Sequence, residues 1–354
     1  MDPVYKQLAL VLDAIPNGYP AADSGVELKI LAKLFSPQEA EIACRLTLEP
    51  QTVAEVTRPD GVSMGEVKTL LKGMVRKGLI EIQRCDRGLG FKLMPFIVGF
   101  YEYQNAQIDE EFAQLFESYY HEVLHRVMNI EPPIQRVLPI EKSIPHNIEV
   151  LSYQKASTYI DEAQSWGVLN CICRVQKRLI GEGCHHSIEN CLVLSPRANA
   201  FKNVDAIRSL TKEETLAILE QADQEGLVHS TSNIQKGVTY ICNCCTCSCG
   251  VLRGIAEYGH LNAIASSDFV AAVDKDLCTE CGLCVDRCQF GAISMEDGSA
   301  TVDKTYCIGC GLCVTHCPSE ALTLKAKSET ETAPPPETEE EWRRLRAKSR
   351  KEKS

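Results

Sequence analysis

The sequence of 354 residues predicts an α+β protein, and three observations support this fold class. Residues 1–130 carry helical hydrophobic patterns with one short hairpin between them. Residues 131–265 mix short apolar strand patterns with capped helices, and a cysteine-rich unit with short strands occurs twice near the C-terminus. Helices and strands therefore follow one another in separate regions, as in α+β domains, and the length suggests about two to three of them.

In residues 1–95, three predicted helices precede a two-stranded hairpin. Ser36-Pro37 is a helix-start signal, with an N-cap serine and a proline at the first helical position. Ser63-Met64-Gly65-Glu66 is a capping box that opens a third helix reaching about Lys77. Residues 79–93 then form two strands around a glycine turn. This order of elements resembles the winged helix-turn-helix domain, which implies a winged-helix-like fold for residues 1–95.

The resemblance leaves two roles open, because many winged helices bind DNA. The third helix and the hairpin carry three acidic residues against seven basic ones, which are Lys68, Lys72, Arg76, Lys77, Arg84, Arg87 and Lys92. Such a patch is of the kind that phosphate contacts need. Basic residues are also common on the solvated face of an amphipathic helix, and the net charge of −11 argues against wholesale nucleic-acid binding. A structural or protein-docking module is the favoured interpretation.

Residues 96–130 are interpreted as a helical connector with a long amphipathic helix over 110–127, whose aromatic side chains suit a core or a dimer contact. Within this helix, residues 121–125 have the pattern H-E-x-x-H of zinc metalloproteases. That motif also needs a third ligand and a cleft, and the pattern is short enough to arise by chance. We therefore expect a packing role for this helix.

Residues 131–265 are interpreted as a cysteine-rich α+β domain. Its nine cysteines are Cys171, Cys173, Cys184, Cys191, Cys242, Cys244, Cys245, Cys247 and Cys249. Five of them fall within eight residues and cannot all bind one small ion, so some must face a second site or stay unliganded. Apolar patterns at 166–173 and 238–242 predict two strands, and the cysteines converge if the ends of these strands lie side by side.

We predict an additional [4Fe–4S] cluster in this domain, with all nine cysteines as candidate ligands. The first choice of four ligands is Cys171, Cys173, Cys184 and Cys191, because they share one continuous segment. The group that begins at Cys242 would complete that site or build another. Zinc binding, thiol–disulfide chemistry and unliganded thiols remain alternatives, and His185 and His186 are further candidate ligands.

Residues 266–327 contain two matching cysteine quartets. The first is Cys278-x2-Cys281-x2-Cys284-x3-Cys288, and the second is Cys307-x2-Cys310-x2-Cys313-x3-Cys317. The two halves are a duplication, since residues 278–293 and 307–322 are identical at 8 of 16 positions. Each iron corner of a [4Fe–4S] cube takes one soft thiolate, and this spacing can supply them. A zinc site would need only four ligands, usually with a longer spacer between the pairs.

The two quartets resemble those of bacterial-type 2[4Fe–4S] dicluster ferredoxins. The resemblance implies a ferredoxin fold with two [4Fe–4S] clusters whose ligands cross between the repeats. One cluster would be held by Cys278, Cys281, Cys284 and Cys317, and the other by Cys307, Cys310, Cys313 and Cys288. One residue departs from the family pattern, because Gln289 stands where a proline is expected after Cys288. The upstream layout of C-x-C-R and C-N-C-C resembles larger iron–sulfur proteins of anaerobic bacteria.

The two ends of the chain carry further signals. The prolines and dense charges of residues 328–354 predict a disordered charged tail, with one transient helix around Trp342. The N-terminus has no basic region followed by an apolar core, and no apolar run approaches about 18 residues, so we expect neither a secretory signal nor a membrane span. With 19 cysteines, an odd number, we expect a soluble cytoplasmic protein whose thiols stay reduced.

These features lead to a functional expectation in two forms. The first is an electron-transfer protein or subunit that passes single electrons to a partner oxidoreductase. The electrons would pass through the two ferredoxin-type [4Fe–4S] clusters and the third cluster predicted in the cysteine-rich domain. Its partners would be electron donor and acceptor proteins. The alternative is a redox-sensing regulator whose winged helix binds DNA with an affinity that depends on the cluster state. A stand-alone enzyme is not favoured, since the sequence has no glycine-rich nucleotide loop and no credible catalytic triad.

Overall fold

The computed structural model describes residues 2–58, 61–146, 148 and 150–353. The chain divides into two compact units. The first contains the residues through Val127 together with Val175–Glu182, and the second contains Met128–Arg174 and the residues from Gly183 onward. The predicted winged-helix-like segment and connector thus belong to the first unit. The ferredoxin and tail segments, and the cysteine-rich segment apart from Val175–Glu182, share the second.

Seven α-helices lie in the described part of the chain up to residue 128. They are α1 (Pro3–Ala14), α2 (Val26–Leu34), α3 (Pro37–Ala43), α4 (Val53–Val56), α5 (Met64–Arg76), α6 (Glu110–Tyr119) and α7 (His125–Met128). The hydroxyl groups of Ser36 and Ser63 accept hydrogen bonds from the backbone N–H groups of Glu39 and Glu66, at 3.2 and 3.3 Å. The predicted starts of α3 and α5 are therefore confirmed.

A two-stranded antiparallel hairpin follows α5. Its strands are β1 (Ile80–Cys85) and β2 (Gly88–Leu93), and Gln51 adds a single bridge to Phe91 of β2. The three predicted helices, α3 to α5, and the hairpin occur in the predicted order, but two further helices, α1 and α2, precede them. The winged-helix assignment itself stays a prediction.

The connector packs through aromatic side chains, as its pattern predicts. A 3₁₀ helix, Phe100–Ala106, precedes α6, and the rings of Tyr101 and Phe116 stack at 4.1 Å between their centroids. The H-E-x-x-H residues lie on a π-helical turn, Tyr120–Leu124, and on the residue after it. Here His121 Nε2 is 2.9 Å from the Glu117 carboxylate, while Glu122 binds Ser24. These two side chains are engaged with neighbours in the helical unit, which agrees with a packing role.

The second unit is built on a seven-stranded sheet with the order β6-β4-β5-β8-β7-β3-β9. The strands are β3 (Gln135–Val137), β4 (Ser165–Asn170), β5 (Glu189–Ser195), β6 (Arg208–Leu210), β7 (Val228–Ser232), β8 (Tyr240–Cys244) and β9 (Ile264–Ala265). All neighbouring strands are antiparallel except β3 and β9. The predicted α+β class is confirmed.

Three helices of the second unit accompany this sheet: α8 (Ala156–Glu162), α10 (Lys212–Gln224) and α11 (Gly250–Tyr258). Helix α9 (Ile172–Leu179) begins in this unit, and its residues from Val175 onward belong to the first unit. Buried residues of β4, β5 and β8, among them Val168, Leu192 and Ile241, pack with Ile160 of α8 in one apolar core. The predicted strand over 166–173 is too long, because β4 ends at Asn170 and Cys173 already lies in α9. The residues after β4 close helical hydrogen bonds, the first from the Arg174 N–H to the Cys171 carbonyl at 3.1 Å.

Residues 269–326 form a small duplicated structure. It contains β10 (Phe269–Val273), α12 (Leu283–Arg287), β11 (Ile293–Glu296), β12 (Ser299–Val302), α13 (Leu312–Thr315) and β13 (Leu322–Ala326). Strands β10 and β13 pair, as do β11 and β12, and all are antiparallel. Gly282 and Gly311 precede the two short helices with φ of 73° and 87°, a left-handed conformation that a glycine adopts without steric cost.

The tail differs from the predicted disordered segment, because residues 339–353 form helix α14 (Glu339–Lys353) and pack against other residues of the second unit. The indole N–H of Trp342 donates to the Pro133 carbonyl at 2.8 Å, and the Arg346 guanidinium donates to the Pro132 carbonyl at 2.8 Å. Both side chains are buried. Composition predicted disorder from the charges, but these two residues anchor one face of the helix.

In the described part of the chain, no helix combines the length and the apolar character that crossing a membrane would require.

Candidate metal centres

The eight ferredoxin-type cysteines line two separate pockets. One pocket is lined by Cys278, Cys281, Cys284 and Cys317. The other is lined by Cys288, Cys307, Cys310 and Cys313. In each pocket, three cysteines come from one repeat and the fourth comes from the other, because each fourth cysteine follows a short helix that leads away from its own loop. This is the grouping that the ferredoxin resemblance implies, and four soft thiols around one pocket fit a [4Fe–4S] cluster.

The two pockets differ in their environment. Around the first, Cys281 is exposed, and hydrogen bonds from the backbone N–H groups of Ala300 and Glu280 lower the pKa of the Cys278 thiol. In the second pocket none of the four cysteines is exposed, and burial raises the pKa of the Cys310 thiol to about 12. The first quartet is therefore nearer to solvent than the second.

Six of the nine central cysteines form a closed ring of thiols, which we call the six-thiol ring. Each thiol interacts through its side chain with two of the others. The order around the ring is Cys171, Cys191, Cys242, Cys244, Cys249, Cys173 and back to Cys171. Six donors exceed the four that a single tetrahedral ion uses, so the ring suits a polynuclear centre better than one zinc ion.

The sheet explains why these six residues meet. Strands β4, β5 and β8 are neighbours, with Leu169 opposite Cys191 and Leu192 opposite Ile241, so their cysteine-bearing ends lie side by side. Because side chains alternate along a strand, Cys242 and Cys244 of β8 point to the same face. The predicted convergence of the two strand ends is present.

Two helices begin at this ring and direct backbone N–H groups toward it. Helix α9 starts directly after Cys171, and α11 starts directly after Cys249. Hydrogen bonds from the thiols of Cys173 and Cys191 hold the pKa of Cys171 well below its usual range, and the Arg174 N–H adds to this effect. For Cys249, hydrogen bonds from Cys173 and Cys244, with the Leu252 N–H, lower the pKa in the same way. Helix N-termini favour thiolates, which are the form that binds metal.

The remaining three central cysteines form a second group with a histidine, which we call the Cys3His group. The ligand atoms of Cys184, His186, Cys245 and Cys247 all lie within 4.8 Å of one another. His186 Nδ1 is 3.3 Å from Cys184 Sγ, which is 3.9 Å from Cys245 Sγ. Burial opposes ionisation of Cys184, but hydrogen bonds from His186 and Ser248 outweigh it and lower the pKa of this thiol to about 6.

The first-choice quartet of Cys171, Cys173, Cys184 and Cys191 is wrong as one site, because Cys184 lies in the Cys3His group. Helix α9 and the turn after it lie between Cys173 and Cys184 in the chain, so continuity in sequence does not put the two residues in one group. The cysteine-dense segment is divided for a similar reason. Cys244, the last residue of β8, belongs to the six-thiol ring, whereas Cys245, the next residue, belongs to the Cys3His group.

His186, which the sequence offered only as a further candidate ligand, belongs to the Cys3His group. The sequence feature that indicates it is its C-x-H spacing from Cys184. His185, its neighbour, is exposed and is not a member of the Cys3His group. Cys44 and Cys85 lie in the first unit and belong to neither group.

A buried arginine lies between the two central groups. The Arg174 guanidinium donates to Asn190 Oδ1 and to the Asn243 carbonyl, both at 2.8 Å, and one nitrogen is 3.6 Å from Cys245 Sγ. Burial disfavours this charge, but Cys171 and Cys245 outweigh that effect and raise the pKa of Arg174. Arg174 therefore supplies a fixed positive charge beside a dense set of thiols.

Gln289, the residue that departs from the ferredoxin pattern, connects the second ferredoxin pocket with the Cys3His loop. Its side-chain carbonyl accepts a hydrogen bond from the Thr246 N–H at 2.7 Å, and its amide donates to the Gly226 carbonyl. A proline could make neither bond. Arg287 strengthens the same junction through the carbonyls of Asp223 and Gln224, at 2.7 and 2.6 Å. The second pocket thus faces the cysteine-rich domain.

Two pockets, each lined by four cysteines on a duplicated scaffold, are the arrangement of an iron–sulfur domain. Residues 271–324 match the family model described as a 4Fe-4S dicluster domain. Residues 271–324 are therefore a dicluster ferredoxin domain, and such a domain holds two [4Fe–4S] clusters, as predicted. No curated protein and no solved structure matches the chain.

Proposed function

We propose that this protein relays single electrons between redox partners through the two ferredoxin clusters and a third iron–sulfur cluster at the six-thiol ring. The observation that supports this most is the Gln289 contact, which connects the ferredoxin domain with the cysteine-rich domain inside one compact unit. Bound clusters supply reversible one-electron chemistry. The chain supplies thiolate ligands, burial and a surface for partners.

The proposed ligands of the first ferredoxin cluster are Cys278, Cys281, Cys284 and Cys317, and those of the second are Cys288, Cys307, Cys310 and Cys313. Four members of the six-thiol ring would hold the third cluster. The two helix-capping thiols, Cys171 and Cys249, are the first choice, because helix N–H groups stabilise both of them. A protein so rich in reduced thiols suits the cytoplasm and oxygen-free metabolism.

The exposure of the first pocket favours electron exchange with partners at that end. Leu277 and Leu283 beside this pocket are 51% and 50% exposed, and Met295 is 38% exposed. Acidic side chains surround this small apolar patch and are exposed as well: Asp276, Glu280, Asp286, Glu296 and Asp297. We propose that it docks a redox protein whose own contact surface has a basic rim, since opposite charges steer encounter and fix orientation.

Small oxidants of opposite charge test the acidic patch. The dithionite-reduced protein should be oxidised by hexaamminecobalt(III), a cation, at a rate that falls as salt is raised from about 10 to 200 mM, because salt screens attraction between charges. Oxidation by anionic ferricyanide should not fall, and stopped-flow absorbance measures both rates. The double variant Asp276→Asn, Glu296→Gln should flatten the salt dependence, whereas the control Asp205→Asn, on the loop before β6, should leave it unchanged. A cation rate that is insensitive to salt would contradict this surface.

The Gln289 contact gives a second prediction. Gln289→Pro restores the residue that the ferredoxin pattern expects, removes two hydrogen bonds and should weaken the junction by about 1–3 kcal/mol. The iron content should stay at the wild-type value, while magnetic coupling between the second ferredoxin cluster and the central cluster should diminish. Electron paramagnetic resonance of the partly reduced protein reports this coupling.

Gln289→Glu is the matched control, since its carboxylate still accepts the Thr246 hydrogen bond. It should retain most of the coupling. If the proline variant shows wild-type spectra, the proposed order of the clusters is wrong.

The relay itself is tested by counting iron and sulfide in protein purified without oxygen. About 12 irons and as many sulfides per chain are expected for three [4Fe–4S] clusters, with reversible bleaching of the brown colour by dithionite. An iron content of only about 8 per chain would mean that the six-thiol ring holds no cluster. A colourless protein, or one with zinc in the ferredoxin pockets, would disprove the relay.

A DNA-binding regulator remains the second candidate, and one observation favours it. Lys68, Lys72, Arg76 and Arg84, on α5 and β1, are exposed and form no ion pair with the described residues. By contrast Lys77, Arg87 and Lys92 pair with glutamates of the first unit. The winged-helix interpretation would place the four exposed charges against phosphates. No retention of the protein on duplex DNA at about 50 mM salt would dismiss this role.

A further inference from the structure

We propose that the Cys3His group binds one zinc ion, separate from the iron–sulfur clusters of the relay. Its four members are Cys184, His186, Cys245 and Cys247. The electron relay does not require this site, so each proposal can fail without the other.

The spacing of the donors favours a single ion. All four ligand atoms lie within 4.8 Å of one another. A tetrahedron with Zn–S bonds of about 2.3 Å has edges of about 3.8 Å, so the four atoms need only small movements to surround one zinc ion. A four-iron cube must fit inside its own thiolates and holds them further apart. The six-thiol ring has a different arrangement, in which each thiol adjoins two others rather than three.

The chemistry of the donors also favours zinc. Three thiolates and one imidazole are a common ligand set of structural zinc sites, and four protein donors leave no open position for a substrate. The nitrogen that faces the thiols is His186 Nδ1, at 3.3 Å from Cys184 Sγ. A bound zinc ion would leave this ligand set with one net negative charge, and the Arg174 guanidinium lies 3.6 Å from Cys245 Sγ to balance it.

The position of the site indicates its role. Cys245 and Cys247 flank Thr246, whose N–H binds Gln289 of the ferredoxin domain. Cys245 also directly follows Cys244 of the six-thiol ring. Zinc at this point would tie the segment after α9 to the loop after β8 and so fix the loop between the ring and the ferredoxin domain. We infer a structural ion that holds two redox centres in position and carries no electrons itself.

The full-length protein, expressed with both iron and zinc in the medium and purified without oxygen, provides the test. Elemental analysis should find about one zinc per chain in addition to iron. X-ray absorption at the zinc edge should show three sulfur neighbours at about 2.3 Å and one nitrogen at about 2.0–2.1 Å. This measurement on the wild-type protein needs no variant and does not depend on electron-transfer activity.

Substitutions then locate the ion. Cys247 is exposed, so Cys247→Ser should disturb packing least, and His186→Ala removes the nitrogen ligand. Each variant should lose most of the zinc and keep all of the iron, while the control Cys85→Ser should keep both metals. Three results would overturn the proposal: zinc below about a tenth per chain in the wild type, an iron loss of about four in Cys247→Ser, or a Cys184–Cys245 disulfide detected by mass spectrometry in the protein as isolated.

Discussion

Replacing Cys171 with alanine should remove about four irons from each chain and leave the two ferredoxin clusters reducible. Cys171 belongs to the six-thiol ring, is 7% exposed and directly precedes α9. Loss of this sulfur removes one iron ligand of the cluster. Water cannot easily take its place, because the site is buried. Iron analysis and electron paramagnetic resonance of the reduced variant measure the result, and Cys244→Ala should behave alike if Cys244 is also a ligand.

Cys85→Ala makes the same chemical change in β1 of the first unit and serves as the control. Its iron content should equal that of the wild type. If Cys171→Ala keeps every iron, the ring thiol is not a ligand. A loss of eight or more irons would mean that the ferredoxin clusters depend on the ring, and would contradict their independence.

Trp342→Ala should release the C-terminal helix and lower the stability of the second unit by about 3 kcal/mol, the low end for removing a buried tryptophan. The side chain is 6% exposed, donates to the Pro133 carbonyl and lies 5.6 Å below the Arg346 guanidinium. We expect the thermal midpoint to fall by roughly 6–12 °C. Limited trypsin digestion should cleave the tail of the variant at its arginines while the wild type resists.

Arg344→Ala on the same helix is the matched control, because Arg344 is exposed. It should melt within a degree or so of the wild type. If trypsin cleaves the tail equally fast in the wild type and in Trp342→Ala, the tail is disordered, as its composition predicts, and the packed helix is wrong.

The ferredoxin domain could be predicted almost completely from the sequence. Its ligands are close in sequence, and the duplication places each fourth cysteine opposite the other repeat, so the spacing alone carries most of the geometry. The helix starts at Ser36 and Ser63 were predictable for the same reason, since a capping box is a contact between residues three positions apart.

The central domain was predictable only in part. The sequence showed that nine cysteines crowd one region and that they exceed the needs of one ion. Their division into the six-thiol ring and the Cys3His group depends on which strands are neighbours and on the side to which each residue points. Cys171 and Cys249 are far apart in sequence, and no local pattern reports that they share a ring.

The C-terminal helix is a second feature that the sequence alone did not predict. Charge density is a property of composition, and it correctly indicates a segment with little apolar surface. The buried side chains of Trp342 and Arg346 are enough to anchor the helix, because the carbonyl groups of Pro133 and Pro132 accept their hydrogen bonds. That acceptor surface is built by residues about two hundred positions away in the chain, so composition could not reveal it.

The sequence by itself determined the presence of two iron–sulfur clusters and the thiols that surround them, since those thiols follow one another at fixed short intervals. Only the tertiary structure decided how the central thiols are shared between two groups, where Gln289 joins the domains, and that the C-terminal helix is packed. The physical reason is that the spacing of nearby ligands can be read directly from the sequence, whereas contacts across a sheet arise only after distant segments have folded together.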